Sequence, residues 1–426
     1  MIAAALCAAG AEKALSNELK KLSLLCNVKL LESGFARVRF EADLEGLYYS
    51  LLSLRTADRI FLEAAVFPAR DFDELFEGAA SVHWDNYIPR GMGLVVDKVR
   101  TKTSVLSAET SIQAIVHKAC AQKLCGIYKV QRLPEGGKTA VIRVYIERNN
   151  ARLMLDITGD PLFKRGYRLE GGAAPLRETT AAAMLLLSCW KRKFPLCDPF
   201  CGSGTIAIEA ALYALDAAAG LGRSFAISDL SIADSKIENK TRALLREKVD
   251  FSRTIRIYAS DSDNMMIEAA KANLKRALGA LLGESEGAGS SAAAIETLLK
   301  SPNIPKFRKI DFKNARALDD TGYIISNPPY GKRIGNTESA EKTYSEMPVL
   351  LNAFPAWNMA IISDHPGFES FFGKKAAICR EITNGALKTF VYEFAAEKNV
   401  KTELKKADNE KKILEKNKTK DYNWTW

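Results

Sequence analysis

The strongest constraint on the fold of this chain is the pattern that begins near residue 173. From there, short apolar segments alternate with helical segments of about 10 to 15 residues, as in a parallel, doubly wound sheet. The clearest strand candidates are residues 196–198, 256–259, 323–326 and 357–362. The pattern ends differently: residues 376–382 and 387–394 flank Asn384-Gly385, a dipeptide typical of hairpin turns. We therefore expect an α/β domain that closes with an antiparallel hairpin.

A glycine-rich turn joins the first of these strands to a helix. Residues 198–205 are Asp-Pro-Phe-Cys-Gly-Ser-Gly-Thr. Glycines between a strand and a helix let the backbone approach a ligand that also meets the helix N-terminus. A phosphate loop would need Gly-Lys-Ser/Thr, and the dinucleotide fingerprint would need a glycine where Ala207 stands. The turn thus predicts another kind of ligand site, with a merely tight connection as the alternative.

A second motif, Asn327-Pro328-Pro329-Tyr330, directly follows the strand at 323–326. The carboxyl ends of strands are where open α/β sheets bind their ligands. Prolines have no N–H group, so their carbonyl oxygens stay available as acceptors. An amine conjugated to a nucleobase or an amide is a poor nucleophile because its lone pair is delocalised. Acceptors from the Asn327 side chain and the Pro328 carbonyl can hold its hydrogens, and Tyr330 can stack on its ring; a chance turn is the alternative.

Together the two motifs resemble those of the class I S-adenosylmethionine-dependent methyltransferases, over residues 173–395. The chain as a whole resembles the THUMP-domain RNA guanine-N2 methyltransferases, particularly bacterial enzymes acting on large-subunit ribosomal RNA. The supporting stretches are residues 164–168, 174–178, 198–205, 260–263, 327–333 and 384–387. The resemblance implies a Rossmann-like methyltransferase domain with a C-terminal antiparallel hairpin, preceded by α+β ferredoxin-like and THUMP domains.

Four segments are expected along the chain. They are a ferredoxin-like N-terminal unit (1–60), a THUMP RNA-binding domain (61–165), the methyltransferase domain (166–396) and a lysine-rich tail (397–426). Within the third, the Gly/Ser/Ala-rich stretch 279–305 predicts a surface insertion.

The resemblance also implies the residues of the active site. Binding of the cofactor, S-adenosylmethionine, is expected at Asp198, Phe200, Gly202, Ser203, Gly204, Asp261 and Asp311, and catalysis at Asn327, Pro328, Pro329 and Tyr330.

The acid that holds the cofactor ribose has two candidates. Spacing alone favours Asp229, whereas Asp261 precedes a regular helix and belongs to the family-like stretch 260–263. We choose Asp261 and expect Asp311 to meet the adenine amino group. Any of these aspartates could instead cap a helix.

Charge is concentrated in one part of the chain. The formal net charge is +10, which favours a polyanionic partner. Residues 90–168 carry 15 basic and 6 acidic side chains, whereas residues 1–89 carry 9 and 13. We expect this basic segment to follow RNA phosphates, with a solvated surface as the alternative, and the expected partner is ribosomal RNA of the large subunit.

Cysteine spacing and hydropathy bear on three questions: a metal site, a membrane-spanning segment and the cellular compartment. The eight cysteines are scattered, and neither they nor the three histidines have zinc-ligand spacing, so we expect no metal. The longest apolar stretches, 1–11 and 181–190, are shorter than the roughly 20 residues of a membrane-spanning helix, so we expect no membrane. Scattered cysteines without a signal-peptide pattern do not indicate a disulfide framework, so we expect a reducing, cytoplasmic location.

The expected function is transfer of a methyl group to the exocyclic N2 amine of guanine in RNA. Alternatives are an adenine-N6 or glutamine-N5 methyltransferase, since the second motif suits all three amines. A catalytically inactive RNA-binding assembly factor is the alternative from another class.

Overall fold

The computed structural model describes residues 1–168, 176–283, 289–329 and 337–396. They form two seven-stranded sheets, one in the N-terminal part of the chain and one in the C-terminal part.

The N-terminal sheet has the strand order β2-β3-β1-β4-β7-β6-β5. Its elements are β1 (Ile2–Cys7), α1 (Glu12–Leu22), β2 (Val28–Gly34), β3 (Arg37–Ala42), α2 (Leu44–Ser53), β4 (Ala57–Pro68), α3 (Phe72–Ser81), β5 (Gly93–Lys102), α4 (Glu109–Tyr128), β6 (Thr139–Glu147) and β7 (Asn150–Asp156). Helical spacing predicts a helix at 12–22, and alternating segments at 140–146 and 151–157 around Asn149-Asn150 predict a hairpin; both are present, as α1 and as β6 with β7. The alternating residues 35–40 predict a single strand between α1 and α2, but there are two, because only Val28 of β2 is buried and that strand lacks an alternating pattern.

Helices cover one face of this sheet. Side chains on that face, such as Ala3 and Ala5 of β1 and Val38 and Phe40 of β3, belong to the main hydrophobic core. The neighbouring positions on these strands point to the opposite face, because side chains alternate along a strand. That face holds only a small apolar cluster centred on Phe61.

The C-terminal sheet has the order β10-β9-β8-β11-β12-β14-β13. Its strands and helices are α5 (Glu178–Leu187), β8 (Leu196–Asp198), α6 (Thr205–Ala214), α7 (Ser235–Glu247), β9 (Ile257–Asp261), α8 (Asn264–Leu282), α9 (Gly289–Lys300), β10 (Lys306–Lys309), β11 (Gly322–Ser326), α10 (Thr337–Glu346), α11 (Val349–Ala353), β12 (Trp357–Ser363), α12 (Phe368–Phe372), β13 (Ile378–Asn384) and β14 (Leu387–Phe394). The first five strands in chain order pair in parallel, and β14 pairs antiparallel with β12 and β13. The expected Rossmann-like fold with a C-terminal hairpin is confirmed.

Two local features differ from a simple strand–helix alternation. Residues 226–229, which contain Asp229, form a short 3-10 helix outside the sheet. The stretch 279–305, where a surface insertion is predicted, contains the end of α8, which continues to Leu282, and α9 at residues 289–300.

Polar contacts join the two halves. Thr179 donates a hydrogen bond of 2.6 Å to Asp58, and the backbone of Ala9 exchanges two hydrogen bonds of 3.0 Å with Thr383. A Cβ on Gly10 would lie 2.0 Å from the carbonyl oxygen of Glu381, so only glycine permits this approach. The expected boundary at residue 60 falls within β4, which pairs with both β1 and β7.

In the part of the chain that is described, no helix combines the length and apolar character needed to cross a membrane.

Candidate active site

Four expected site residues lie at one edge of the C-terminal sheet. Asp198 and Asp261 are the last residues of β8 and β9, Asp311 follows β10, and Asn327 directly follows β11. These strands are parallel neighbours, so their carboxyl ends meet at the same edge. The structure therefore brings the glycine-rich turn and the Asn-Pro-Pro motif together.

The glycine-rich turn is fixed by hydrogen bonds to the next strand and its helix. The backbone N–H of Gly202 donates to Asp261 Oδ2 at 3.0 Å, and that of Cys201 donates to the Ser260 carbonyl at 2.9 Å. The Asn273 side chain donates to the Ser203 carbonyl at 2.9 Å. The turn and the end of β9 are thus one connected unit.

Gly202 and Gly204 both lie in this turn, but the absence of a side chain serves a different purpose at each position. Both have positive φ, +50° at Gly202 and +87° at Gly204, which favours a residue without a Cβ. A Cβ on Gly204 would lie 2.9 Å from Ala270 Cβ and 3.1 Å from the Phe307 ring, so this position serves close packing. Among the described residues, a Cβ on Gly202 would meet no atom within 4 Å, which leaves space for a ligand there.

The two candidate ribose-binding acids lie in different places. Asp261 ends a strand beside β8 and is half-buried at the sheet edge. Asp229 forms a salt bridge with Lys138, whose segment belongs to the N-terminal sheet. Capping of α8 is performed by Asp263, which accepts from the N–H of Met265 at 2.8 Å, rather than by Asp261.

Asp311 does act as a cap. Its carboxylate accepts from the N–H of Lys313 at 2.9 Å and begins the 3-10 helix Phe312–Asn314. Phe312 of this helix packs against Phe200 of the glycine-rich turn, with ring centroids 4.7 Å apart. The pair places an aromatic surface beside the strand ends.

Asp198 links the cofactor-side turn to the Asn-Pro-Pro motif. Its carboxylate accepts from the Ser326 hydroxyl at 2.5 Å and from the backbone N–H of Phe200 at 3.2 Å. Burial raises the pKa of Asp198 to about 7, because the charged form loses its hydration.

The Asn327-Pro328-Pro329 segment is supported from α10. Tyr344 is fully buried, and its hydroxyl donates to the Pro329 carbonyl at 3.0 Å. The same hydroxyl lies 3.2 Å from Ser363 Oγ at the end of β12. Tyr344 was not among the predicted site residues, because no local sequence pattern reveals a contact across fifteen residues. Tyr330 lies outside the described residues.

An ion pair between Arg168 and Glu178 supports the glycine-rich turn where it enters α6. Arg168 donates to Glu178 Oε2 at 2.8 Å and to Thr205 Oγ1, the first residue of α6, at 3.3 Å. Burial raises the pKa of Glu178 to about 7. Stretches 164–168 and 174–178 supported the family resemblance, but their sequence did not reveal this pairing.

Across residues 1–168, 176–283, 289–329 and 337–396, no group of three or more His, Cys, Asp or Glu side chains is placed to hold a metal ion.

Models of two protein families match this chain. The RMKL-like methyltransferase domain matches residues 165–284 and 297–423, and the RlmL ferredoxin-like domain matches residues 3–61.

Curated relatives match along nearly all of the chain. It is 34% identical to the Bacillus subtilis (strain 168) protein named "Putative RNA methyltransferase YpsC", over 94% of this chain and 97% of that protein. It is 29% identical to the Cellvibrio japonicus protein named "Ribosomal RNA large subunit methyltransferase K/L", over 93% of this chain and 51% of that protein. The chain thus spans about half the length of the K/L relative.

Solved structures share the whole fold. SMU.472, described as "a putative methyltransferase complexed with SAH", has a TM-score of 0.78 and 33% identity, covering 93% of this chain and 98% of its own. A Clostridium difficile 630 protein described as "a possible methylase" has a TM-score of 0.80 and 32% identity, with the same coverage.

Proposed function

The chain belongs to the RMKL-like methyltransferase family, and we propose that it methylates the exocyclic N2 amine of a guanine in large-subunit ribosomal RNA. It is an S-adenosylmethionine-dependent methyltransferase. The nucleobase, the position on it and the RNA are the proposed parts.

RNA as the substrate is supported from two directions. The names of the Bacillus and Cellvibrio relatives describe methyltransferases of RNA and of large-subunit ribosomal RNA. In this chain, residues 90–168 carry a strong basic excess, and Lys118 and Lys129 of that segment are exposed around α4. We assign residues 61–165 to an RNA-binding THUMP domain, between a ferredoxin-like unit (1–60) and the catalytic domain (166–396). All eight cysteines are free, in keeping with a cytoplasmic enzyme.

The residues at the strand ends fit the cofactor. Gly202 leaves open space where a side chain would stand, which suits the methionine end. The Asp261 carboxylate suits the two ribose hydroxyls, and Asp311 with the Phe200–Phe312 pair suits the adenine. Asp198, Ser203 and Gly204 complete the proposed site by holding the turn. When bound, S-adenosylmethionine supplies an electrophilic methyl group on a sulfonium sulfur.

The chemical role falls to the Asn-Pro-Pro segment. The Asn327 side chain and the Pro328 carbonyl accept the two amine hydrogens, so the nitrogen becomes pyramidal and its lone pair faces the methyl group. An N–C bond forms as the C–S bond breaks, and the methylated amine then loses one proton to solvent. Alignment of this kind can lower a barrier by roughly 7–11 kcal/mol without covalent catalysis. Pro329 fixes the turn, and Tyr330 is proposed to stack on the base.

The Ser326–Asp198 hydrogen bond is the observation that carries this proposal, because it joins the strand before Asn327 to the cofactor-side turn. The test is methylation of ribosomal RNA from a strain lacking the gene, using purified protein and S-adenosylmethionine. Mass spectrometry of nucleosides should show N2-methylguanosine. N6-methyladenosine in RNA, or N5-methylglutamine in protein with unmodified RNA, would overturn the proposed substrate.

A further inference from the structure

The face of the N-terminal sheet opposite its helices holds a groove. On this face, strand β1 contributes Ala4 and Leu6, which pair with Arg39 and Arg37 of β3 on one side. On the other side, Leu6 pairs with Arg59 of β4. Small and apolar side chains therefore form the floor, and arginines rise on both sides of it.

The cavity above this floor, which we call the arginine groove, measures about 580 Å³. Its lining has seven cationic side chains and one carboxylate, Asp58. The cations are Arg37, Arg39, Arg59, Lys98, Arg143, Arg152 and Arg177.

Carboxylates near the arginine groove form ion pairs that hold these arginines in place, and all but Asp58 lie outside the lining of the groove. Glu63, which pairs with Arg39 and Arg152, is 7% exposed, and Asp156, which pairs with Arg59, is 2% exposed. Asp97 pairs with Arg143 and Asp58 with Arg177, while Glu32 pairs with both Arg37 and Arg39, so Arg39 is held by two carboxylates and the other arginines by one. A guanidinium has five N–H donors, so an arginine held by one carboxylate keeps donors for a phosphate.

Aromatic rings stand at the end of the groove that faces the catalytic domain. Phe35, in the turn between β2 and β3, is 87% exposed, although a lone phenylalanine gains nothing from water. Phe163 lies under the Arg177 guanidinium, 4.4 Å from ring centroid to Cζ. Exposed rings beside arginines are the surfaces on which unpaired nucleobases stack.

The groove leads to the catalytic edge of the C-terminal sheet. The backbone N–H of Arg177 donates to Asn384 Oδ1 at 3.1 Å, at the end of β13. Ser363, the last residue of β12, pairs with Phe390 near the start of β14, so the turn after Asn384 lies at the edge where the parallel strands end. That is the edge which holds Asp198 and Asn327.

We propose that the arginine groove binds an unpaired RNA segment that flanks the target nucleotide, with phosphates on the arginines and a base stacked on Phe35. This assignment rests on the proposed RNA methylation. The groove should prefer single-stranded RNA to a duplex, because stacking on the exposed Phe35 ring requires a base that is not already stacked within a helix.

The test measures binding of the full chain to a fluorescein-labelled ten-nucleotide oligouridylate and to an RNA duplex of equal length, by anisotropy. The single strand should bind more tightly. Phe35→Ala should weaken its binding about 5- to 150-fold, the equivalent of roughly 1–3 kcal/mol for one stacked base. Phe35→Tyr should restore it, and Leu24→Ala is the matched control, because Leu24 is 83% exposed in another turn.

Arg37→Ala gives an independent readout. Loss of one phosphate contact should lower the slope of log K against log salt by about 0.7, as expected for a single strand. Calorimetry with S-adenosylmethionine should give wild-type affinity in every variant.

Wild-type oligouridylate affinity in Phe35→Ala, an equal loss in Leu24→Ala, or tighter binding of the duplex would overturn the groove assignment. The proposed function fails separately, through absence of N2-methylguanosine in the ribosomal RNA assay with the wild-type protein.

Discussion

The Ser326 hydroxyl donates a hydrogen bond of 2.5 Å to Asp198, joining the ends of two neighbouring strands, β8 and β11. Asp198 begins the glycine-rich turn, and Ser326 immediately precedes Asn327. A shift of one strand end must therefore move the other, so this bond fixes the distance between the proposed cofactor and amine sites.

The raised pKa of Asp198 predicts a pH dependence of stability. Its pKa of about 7 in the folded chain, against an ordinary value of 3.8, means that the folded state binds a proton that the unfolded state has released. This contribution to stability is present at pH 4 and is lost as the pH rises towards 7, by at most about 1.4 kcal/mol per pH unit. Asp198→Asn removes the titration, so its melting temperature relative to wild type should rise between pH 5 and pH 8. A constant difference in melting temperature over that range would show that Asp198 is not held protonated. Glu178 also has a raised pKa, but it titrates in both proteins, so its effect cancels in the difference.

The fold was predictable because its signals are local. Apolar segments at 196–198 and 323–326 and the Asn384-Gly385 turn each lie within a few residues, and all three appear where expected. The β2–β3 turn was missed because Phe35 lies exposed in it and β2 buries almost nothing.

Support for the site was not predictable, because it comes from distant parts of the chain. Tyr344 reaches Pro329 from α10, and Arg168 reaches Thr205 from before α5. A sequence pattern indicates periodicity and motifs, whereas such contacts depend on how whole elements pack. The arginine groove is hidden for the same reason, since its cations come from five strands and from Arg177, directly before α5.

Gly202→Ala should weaken cofactor binding by filling the open space beside the turn. Gly91 is the matched control, because it also has positive φ, +87°, and its added Cβ would have no atom of the described chain within 4 Å. Both alanine variants should lose roughly 1–2 kcal/mol of stability from the left-handed backbone. Calorimetry should show weaker S-adenosylmethionine binding only for Gly202→Ala; equal affinity in both would exclude the turn from the site.

Asp261→Ala should weaken S-adenosylmethionine binding at least about tenfold, because a charge-assisted hydrogen bond contributes roughly 1.5–3 kcal/mol. The change also removes the acceptor of the Gly202 N–H. Asp229→Ala removes only the ion pair with Lys138 and should leave the affinity unchanged. The reverse result, measured by the same titration, would move the ribose to Asp229.

Tyr344→Phe should slow methylation while leaving cofactor affinity unchanged. The variant keeps the buried ring but loses the hydrogen bond to the Pro329 carbonyl, so the Asn-Pro-Pro turn is held less firmly. Tyr128→Phe is the control, because its hydroxyl donates to the Ile88 carbonyl far from the sheet edge. Each change should lower stability by about 1 kcal/mol. Only Tyr344→Phe should lower kcat, and equal kcat values would assign Tyr344 a purely structural role.

Asn327→Ala tests the chemical step itself. If the carboxamide oxygen holds the amine only as its nitrogen becomes pyramidal, the loss falls on the transition state rather than on binding. By analogy with a lost oxyanion donor, the rate should fall about 100- to 1,000-fold. Asn303→Ala removes a half-buried carboxamide that donates to the carbonyls of Phe251 and Ser252, away from the motif, and should keep the wild-type rate.

Single-turnover methylation of undermethylated ribosomal RNA gives the rate, and titrations give the affinities for RNA and cofactor. A near wild-type rate for Asn327→Ala would remove this residue from the mechanism, whereas weakened binding at an unchanged rate would make it a substrate-holding residue.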